Sequence, residues 1–381
     1  MNAPRREARD RVESARGADA PSLEARLIID LGAIAANWRA LDALSAPEVE
    51  TAAVVKADAY GLGIAEVAPV LARAGARSFF VALPGEGIAL RRTLEGTGAA
   101  DAPIYILGGY FEGDSAAFAD ASLRPVLNSI EQGAAWFETG PGGPAALQLD
   151  SGMNRLGVEP SDLARLGPLP GGVELVMSHL ACADVSGHPM NAQQRTGFAE
   201  LTAGLLATLP AGRAAPVLIL AATGGTLLGA PFHFGMTRPG IGLFGGQPFG
   251  EATPVIRLEA PIIQVRDVAG GEAVGYGAAF RARGPRRIAT ISTGYADGLI
   301  RAAGGRASAA LAGRMLPYAG RVSMDLVTLD VTHCPEAVAG AMVELIGPAV
   351  PLDTLADAAG TIGYEMLTSL GARYRRRYLP A

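Results

Sequence analysis

Residues 51–63 read TAAVVKADAYGLG. Ala52, Ala53, Val54 and Val55 form a short apolar run bounded by turn residues, the pattern of a buried β-strand. Asp58, Tyr60, Gly61 and Gly63 then read as the turn that follows it. Lys56 stands at the junction, where it cannot easily carry its ammonium to water. Desolvation disfavours the charged form, so its pKa is expected to fall and its amine to serve as a nucleophile or base. Taken alone, VVK describes any lysine at a strand edge with its head in solvent; the longer string carries the argument further.

Outward from this strand, short apolar runs alternate with amphipathic segments. Strands are expected at 51–55, 78–83, 104–107, 125–128, 145–149, 175–179, 217–221 and in a segment ending near Arg238. Helices are expected between them at 64–73, 86–94, 115–119, 130–138, 162–166, 191–209 and 224–228. Eight strands in βα alternation predict a (β/α)8 TIM-type barrel, with a doubly wound open sheet as the alternative. After Phe249 the pattern becomes β-rich, at 255–268, 287–293, 309–318, 322–331 and 342–346, punctuated by Gly270-Gly271, Gly284-Pro285 and Gly347-Pro348. A helix is expected at 364–370. The expected organisation is α/β: a flexible tail over 1–22, a barrel domain over 23–248 and a mostly β C-terminal domain over 249–381.

The bulk properties agree with this outline. The chain has 381 residues, of which 49% are hydrophobic, enough for two domains with a large core. A net charge of −5 argues against a nucleic-acid partner. The cysteines, Cys182 and Cys334, are far apart, so a disulfide framework is not expected, and neither has the spacing of a zinc site. Residues 1–22 mix both charge signs and lack the apolar centre of a secretory signal. Between Arg213 and Arg238 only His233 is able to carry a charge, but Pro216, Gly224, Gly225, Gly229 and Pro231 break any spanning helix there. A cytoplasmic protein with no membrane partner is the simplest reading.

Barrel enzymes place their chemistry at the C-terminal ends of the strands. Lys56 falls there after strand one, Arg155 after strand five in QLDSGMNRLGV, and His179 at the end of strand six in VMSHLACAD. Thr223 and Gly224 follow strand seven, and Arg238 lies in TRPGIGLFG at strand eight. Each has an ordinary reading on its own: an arginine paired with Asp150, a satisfied core histidine, a glycine turn, a loop opener. Their joint placement at strand ends points to one site.

The 51–63 string resembles the cofactor-lysine motif of alanine racemases, which reads close to VVKANAYGHG, and the resemblance extends over nearly the whole chain from about residue 25. It implies pyridoxal phosphate as cofactor, held by Lys56, which also acts as one of two bases. It implies that Arg155 binds the substrate carboxylate, that His179 lies beside the cofactor ring and that Arg238 faces the pyridine nitrogen. Tyr60 and Tyr364 match phosphate-side residues, with Thr223, Gly224, Gly240 and Ile241 completing the cofactor-binding set. In the second domain, VGYGAAF carries Tyr276, matching the opposing base; without the resemblance, it reads as a loop tyrosine between glycines. STGYADG carries Tyr295, matching an entrance tyrosine, and RVSMD carries Met324, whose backbone N–H would meet the carboxylate. In this family Tyr276 and Met324 come from the partner subunit, so the resemblance implies a homodimer with shared sites.

Racemisation removes the α-proton of alanine from one face and returns one to the other, so it needs two acid/base groups. Lysine and tyrosine both have ordinary pKa values near 10, and catalysis near neutrality needs both depressed. The implied role is interconversion of L- and D-alanine, supplying D-alanine for peptidoglycan. Several positions depart from the family pattern. Gln148 stands where many members carry a modified lysine, Ala222-Thr223 replaces a usual Asn-Ser, and Phe244 replaces a common tyrosine. These departures keep a broad-specificity amino-acid racemase open. A basic amino-acid decarboxylase of the same barrel normally places a glutamate where Arg238 stands. A non-catalytic pyridoxal-phosphate carrier lacks the second domain.

Overall fold

The structure, a computed structural model, describes residues 22–381. The tail expected over 1–22 lies outside the described residues apart from Ser22. The chain divides into two compact units. The barrel unit takes Ile28–Ile256, Thr361–Ser369 and Tyr378–Ala381; the second unit takes the described residues up to Leu27, Arg257–Gly360 and Leu370–Arg377. The late helix Gly363–Ser369 therefore clusters with the barrel and not with the β-rich segment that precedes it.

The barrel is a parallel sheet whose path runs through nine strand segments, from Glu50–Thr51 at one end to Ala53–Val54 at the other. These two ends are separated in sequence by Ala52 alone. Ala52 N–H donates to Thr237 O at 2.8 Å on one side, and Ala53 N–H donates to Ser78 O at 3.0 Å on the other. One strand thus serves both neighbours, and nine segments become eight strands on a path that closes on itself. The remaining strands are Phe79–Val81, Ile104–Ile106, Arg124–Leu127, Ala145–Gln148, Val173–Met177, Val217–Ile219 and Met236–Thr237. Most of their residues are buried apolar side chains: Phe79, Phe80 and Val81 have no exposed surface. Strands buried on both faces need such continuous runs, which is why the sequence marks them clearly.

Helices flank the strands, and several bury an apolar stripe. Ile64–Ala74 buries Ile64, Val67, Ala68, Val70 and Leu71. The helix Leu31–Asp42 was not anticipated from sequence. It is capped by Asp30, whose carboxylate accepts the Ala33 N–H at 2.9 Å, and it buries Ile34, Trp38 and Leu41. The segment expected as one helix at 130–138 is an α-helix, Ile130–Ala134, continued by a π-turn, Ala135–Thr139.

The second unit is mostly antiparallel. Its long strand Ile256–Val268 pairs with Arg286–Ile291 and with Met342–Ile346. The single strand expected at 309–318 is instead a hairpin, Ser308–Leu311 with Arg314–Pro317. The chain reverses at Ala312 and Gly313, both with positive φ (+49° and +75°). Only Val327–Asp330 of the expected 322–331 is strand; the residues before it form a loop that carries Met324. A helix at Leu352–Ala359 was also not anticipated.

Candidate active site

The chain leaves the first barrel strand through an unusual turn. Ala57, Asp58, Ala59 and Tyr60 all adopt left-handed backbone angles, with φ between +54° and +56°. Each such L-residue costs about 1–2 kcal/mol, so four in a row persist only where surrounding contacts hold them. Ala59 N–H donates to Val55 O at 3.0 Å and Gly61 N–H to Ala57 O at 2.7 Å. The Asp58 carboxylate accepts the Ile64 N–H at 2.7 Å, joining the turn to the next helix. Gly61 is required at its place: its φ is +80°, and a Cβ there would stand 2.6 Å from Leu367 O.

Lys56 opens this turn and lines a cavity of about 690 Å³ in the barrel unit. All ten barrel-unit residues singled out from the sequence, Lys56, Tyr60, Arg155, His179, Thr223, Gly224, Arg238, Gly240, Ile241 and Tyr364, line it. Burial pulls the Lys56 amine below its ordinary pKa, and the nearby charges of Arg238 and Arg155 add to this, while Glu86 opposes it. This is the depression expected of a lysine at the end of a buried strand, now with named causes.

Arg238 is buried beneath the cavity. Its Nη2 donates to Ser178 O at 2.9 Å and to His179 Nδ1 at 3.0 Å. A guanidinium only donates, so Nδ1 accepts and the proton of neutral His179 resides on Nε2. Burial, then the charges of Arg238, Arg155 and Lys56, hold His179 well below the usual histidine range. Burial also pushes Arg238 down to about 10, which leaves it cationic at neutral pH. Its Nε is buried without a hydrogen-bond partner among the described residues.

Tyr60 packs its ring 4.8 Å from Phe244 and 6.1 Å from Tyr364. Gly240 makes room for it, since a Cβ there would lie 2.2 Å from the Tyr60 hydroxyl. Thr223 Oγ1 accepts the N–H groups of Gly240 at 3.0 Å and Gly242 at 3.2 Å, which leaves its own O–H free to donate elsewhere. Gly224 presses against Ala183, whose atoms a Cβ would meet at 2.9 Å.

Arg155 sits on an exposed loop after strand five. The pairing with Asp150 weighed from sequence is not what the structure shows. The Asp150 carboxylate is taken by the N–H groups of Gly152, Met153 and Asn154, at 2.8, 2.9 and 3.2 Å, and so shapes the loop. Gln148, buried in the cavity wall, donates its Nε2 to Leu156 O at 3.1 Å and ties down the far side of the same loop.

Tyr276, Tyr295 and Met324 belong to the second unit, where they are exposed by 69%, 40% and 53%. Tyr276 is held between Gly275 and Gly277, both at positive φ. Tyr295 and Met324 are brought together: Tyr295 N–H donates to Ser323 O at 3.0 Å and Ala296 N–H to Met324 O at 2.9 Å. Gly294 permits this approach, because a Cβ would stand 2.4 Å from Met324 O. Sequence reasoning missed Arg373, which clamps both loops: its Nε and Nη2 reach the Asp297 carboxylate at 2.6 and 2.8 Å, and its Nη1 reaches Asp325 at 2.8 Å. It also passed over Glu86 as an ordinary helix residue.

Pyridoxal phosphate fits the barrel cavity by the chemistry of the donors. A lysine amine disfavoured as a cation suits an aldehyde. A buried cationic guanidinium with an orphaned Nε suits a ring acceptor or an anion, as do the hydroxyls of Tyr60 and Thr223. No described helix is long and apolar enough to cross a membrane.

Comparison with known proteins places this site in a family. Residues 29–248 match the model of the alanine racemase N-terminal domain, and residues 255–378 that of the C-terminal domain. An alanine racemase of Dinoroseobacter shibae is 54% identical over 356 residues, covering 93% of this chain and 98% of that protein. One from Rhodospirillum rubrum is 47% identical, covering 93% and 96%. The crystal structure of alanine racemase from Bartonella henselae, with covalently bound pyridoxal phosphate, superposes with a TM-score of 0.85 at 36% identity, over 94% of this chain and all of that one. That of the biosynthetic alanine racemase from Pseudomonas aeruginosa gives 0.84 at 37%, with the same coverage. With both domain models matched in order across a closed barrel and a β-rich unit, and a depressed lysine at the end of the first barrel strand, the chain belongs to the alanine racemase family.

Proposed function

We propose that the chain is a pyridoxal-phosphate-dependent racemase that interconverts L- and D-alanine with Lys56 and Tyr276 as its two bases. The observation that carries this reading is Lys56: an amine disfavoured as a cation, lining one cavity with Arg238, His179 and Arg155. When bound, the cofactor supplies an electron sink that acidifies the α-proton of the amino acid it carries.

Lys56 Nζ would hold the cofactor; as the neutral amine it takes the α-proton on one face, and as the ammonium it returns one. The phenol oxygen of Tyr276 of the partner subunit does the same on the opposite face; exposure of Tyr276 by 69% on its own chain supports that arrangement. Arg155 and the backbone N–H of the partner subunit's Met324 bind the substrate carboxylate, and Tyr295 stands at the entrance. Tyr60, Thr223, Gly224, Gly240, Ile241 and Tyr364 form the phosphate side. Arg238, whose buried Nε has no partner among the described residues, would offer the cofactor ring nitrogen a donor that does not surrender its proton, and the group would then supply a modest electron sink. His179, neutral with its proton on Nε2, would stand beside the cofactor ring and is held by Arg238 through Nδ1. The protein works as a homodimer in the cytoplasm and supplies D-alanine for peptidoglycan.

Proton NMR of L-alanine in heavy water with enzyme and cofactor, followed by chiral analysis, tests the reading. Loss of the α-proton signal with D-alanine appearing is the expected result. A retained α-proton overturns it.

A further inference from the structure

We propose that Glu86 is a positioning residue for Lys56: its carboxylate holds the left-handed turn that places the lysine at the end of the first barrel strand. Glu86 is the third residue of the helix Pro84–Leu94, where a glutamate ordinarily caps the helix start by accepting one backbone N–H. Here a single oxygen, Oε2, does that work, accepting Leu83 N–H at 3.0 Å and Ala82 N–H at 2.8 Å. The other oxygen, Oε1, reaches 29 residues back along the chain to accept the Ala57 N–H at 2.5 Å. Ala57 directly follows Lys56 and begins the run of four left-handed residues.

One carboxylate therefore joins the ends of the first and second barrel strands. Bonds to a charged acceptor are about twice as strong as neutral ones, and this one falls on a segment that must offset backbone strain. The same charge opposes the influence of Arg238 and Arg155 on the Lys56 amine. A helix cap alone needs neither the second oxygen nor the reach to Ala57. The inference rests on the reading of Lys56 as the cofactor-holding residue.

The test compares holoenzymes of the wild type, Glu86→Gln, Ala57→Gly and the double variant. Cofactor release is followed by absorbance after dilution into a carbonyl scavenger. Glutamine keeps one acceptor oxygen for the helix cap but turns an NH2 group or nothing toward Ala57. Release from Glu86→Gln is expected to be about 10-fold faster, the loss of one charge-assisted bond. Glycine at 57 takes a positive φ without a Cβ penalty, so the double variant should recover most of that loss. A release rate unchanged in Glu86→Gln overturns the proposal, and so does a loss that Ala57→Gly fails to relieve, since that marks a helix cap only. If Glu86→Gln does not accumulate as folded protein, Glu86→Asp replaces it: one methylene shorter, it keeps the cap and falls short of Ala57. Faster release from Glu86→Asp supports the proposal and an unchanged rate overturns it. Borohydride reduction and peptide mass analysis of the wild type keep the two readings apart: label on an amine other than Lys56 overturns the proposed function itself, whatever the release rates.

Discussion

Arg238 Nη2 stands 3.0 Å from His179 Nδ1, and this contact fixes the protonation of the imidazole. The donor cannot be an acceptor, so the ring is neutral with its proton on Nε2. Nitrogen NMR of labelled protein should show that tautomer, with no titration of His179 across the usual histidine range near pH 6.5. A His179 that gains a proton there would break the network as described.

The same depression makes stability depend on pH. Unfolded His179 binds a proton below about pH 6.5, while the folded ring does not until much lower. Between these limits the unfolded state holds more protons, so acid favours unfolding. Going from pH 7.5 to 5.5 should cost the wild type more stability than it costs His179→Gln, by on the order of 1 kcal/mol. Urea titrations of the two proteins at both pH values measure the difference.

Mixed dimers test the shared site. Lys56→Ala and Tyr276→Phe should each reduce turnover by at least about 10³-fold, since each removes one of the two proposed proton carriers. If Tyr276 serves the partner's lysine, co-refolding the two inactive variants in equal amounts should restore roughly a quarter of the wild-type sites, because half the dimers are mixed and each has one intact site. If both residues act within one chain, no activity returns.

Gln148 ties down the loop that carries Arg155, the proposed ligand of the substrate carboxylate. Its Nε2 bond to Leu156 O is removed in Gln148→Ala. Steady-state kinetics should show KM for alanine raised by about 3- to 10-fold, the worth of one neutral hydrogen bond, with kcat changed less. An equal fall in kcat would assign Gln148 a different role.

Gly157 closes that loop with φ at +115°, and a Cβ there would lie 2.7 Å from the backbone of Leu149 and Asp150. Gly157→Ala should lose about 2 kcal/mol of stability or more. It should also raise KM, because Arg155 is two residues away. Denaturant unfolding and kinetics on the same preparation check both.

The barrel was legible because its strands are continuous apolar runs and their βα spacing is regular. Lys56, His179 and Arg238 were readable as strand-end residues for the same reason. The left-handed turn was not. Ala57-Asp58-Ala59-Tyr60 contains no glycine, and nothing local in it specifies positive φ; the Ala57 N–H is held instead by Glu86, distant in sequence. The hairpin at 308–317 escaped because Ala312-Gly313 is a weak turn signal inside a β-rich run. Arg373 was hidden in a basic C-terminal stretch, where a charge run ordinarily reads as a solvated face. The helix Leu31–Asp42 did carry its signal, an Asp cap followed by Ile34, Trp38 and Leu41 at helical spacing, and it was overlooked because it precedes the first barrel strand.

The seam at residues 50–54 has a further consequence. Its backbone is spoken for on both flanks, by Thr237 and by Ser78, within four residues of the lysine. Deleting or inserting one residue there would slip both ladders at once and swing the amine to the wrong side of the wall. The loops around the rim have room to change length; this segment has none, and any redesign of the scaffold must carry it over intact.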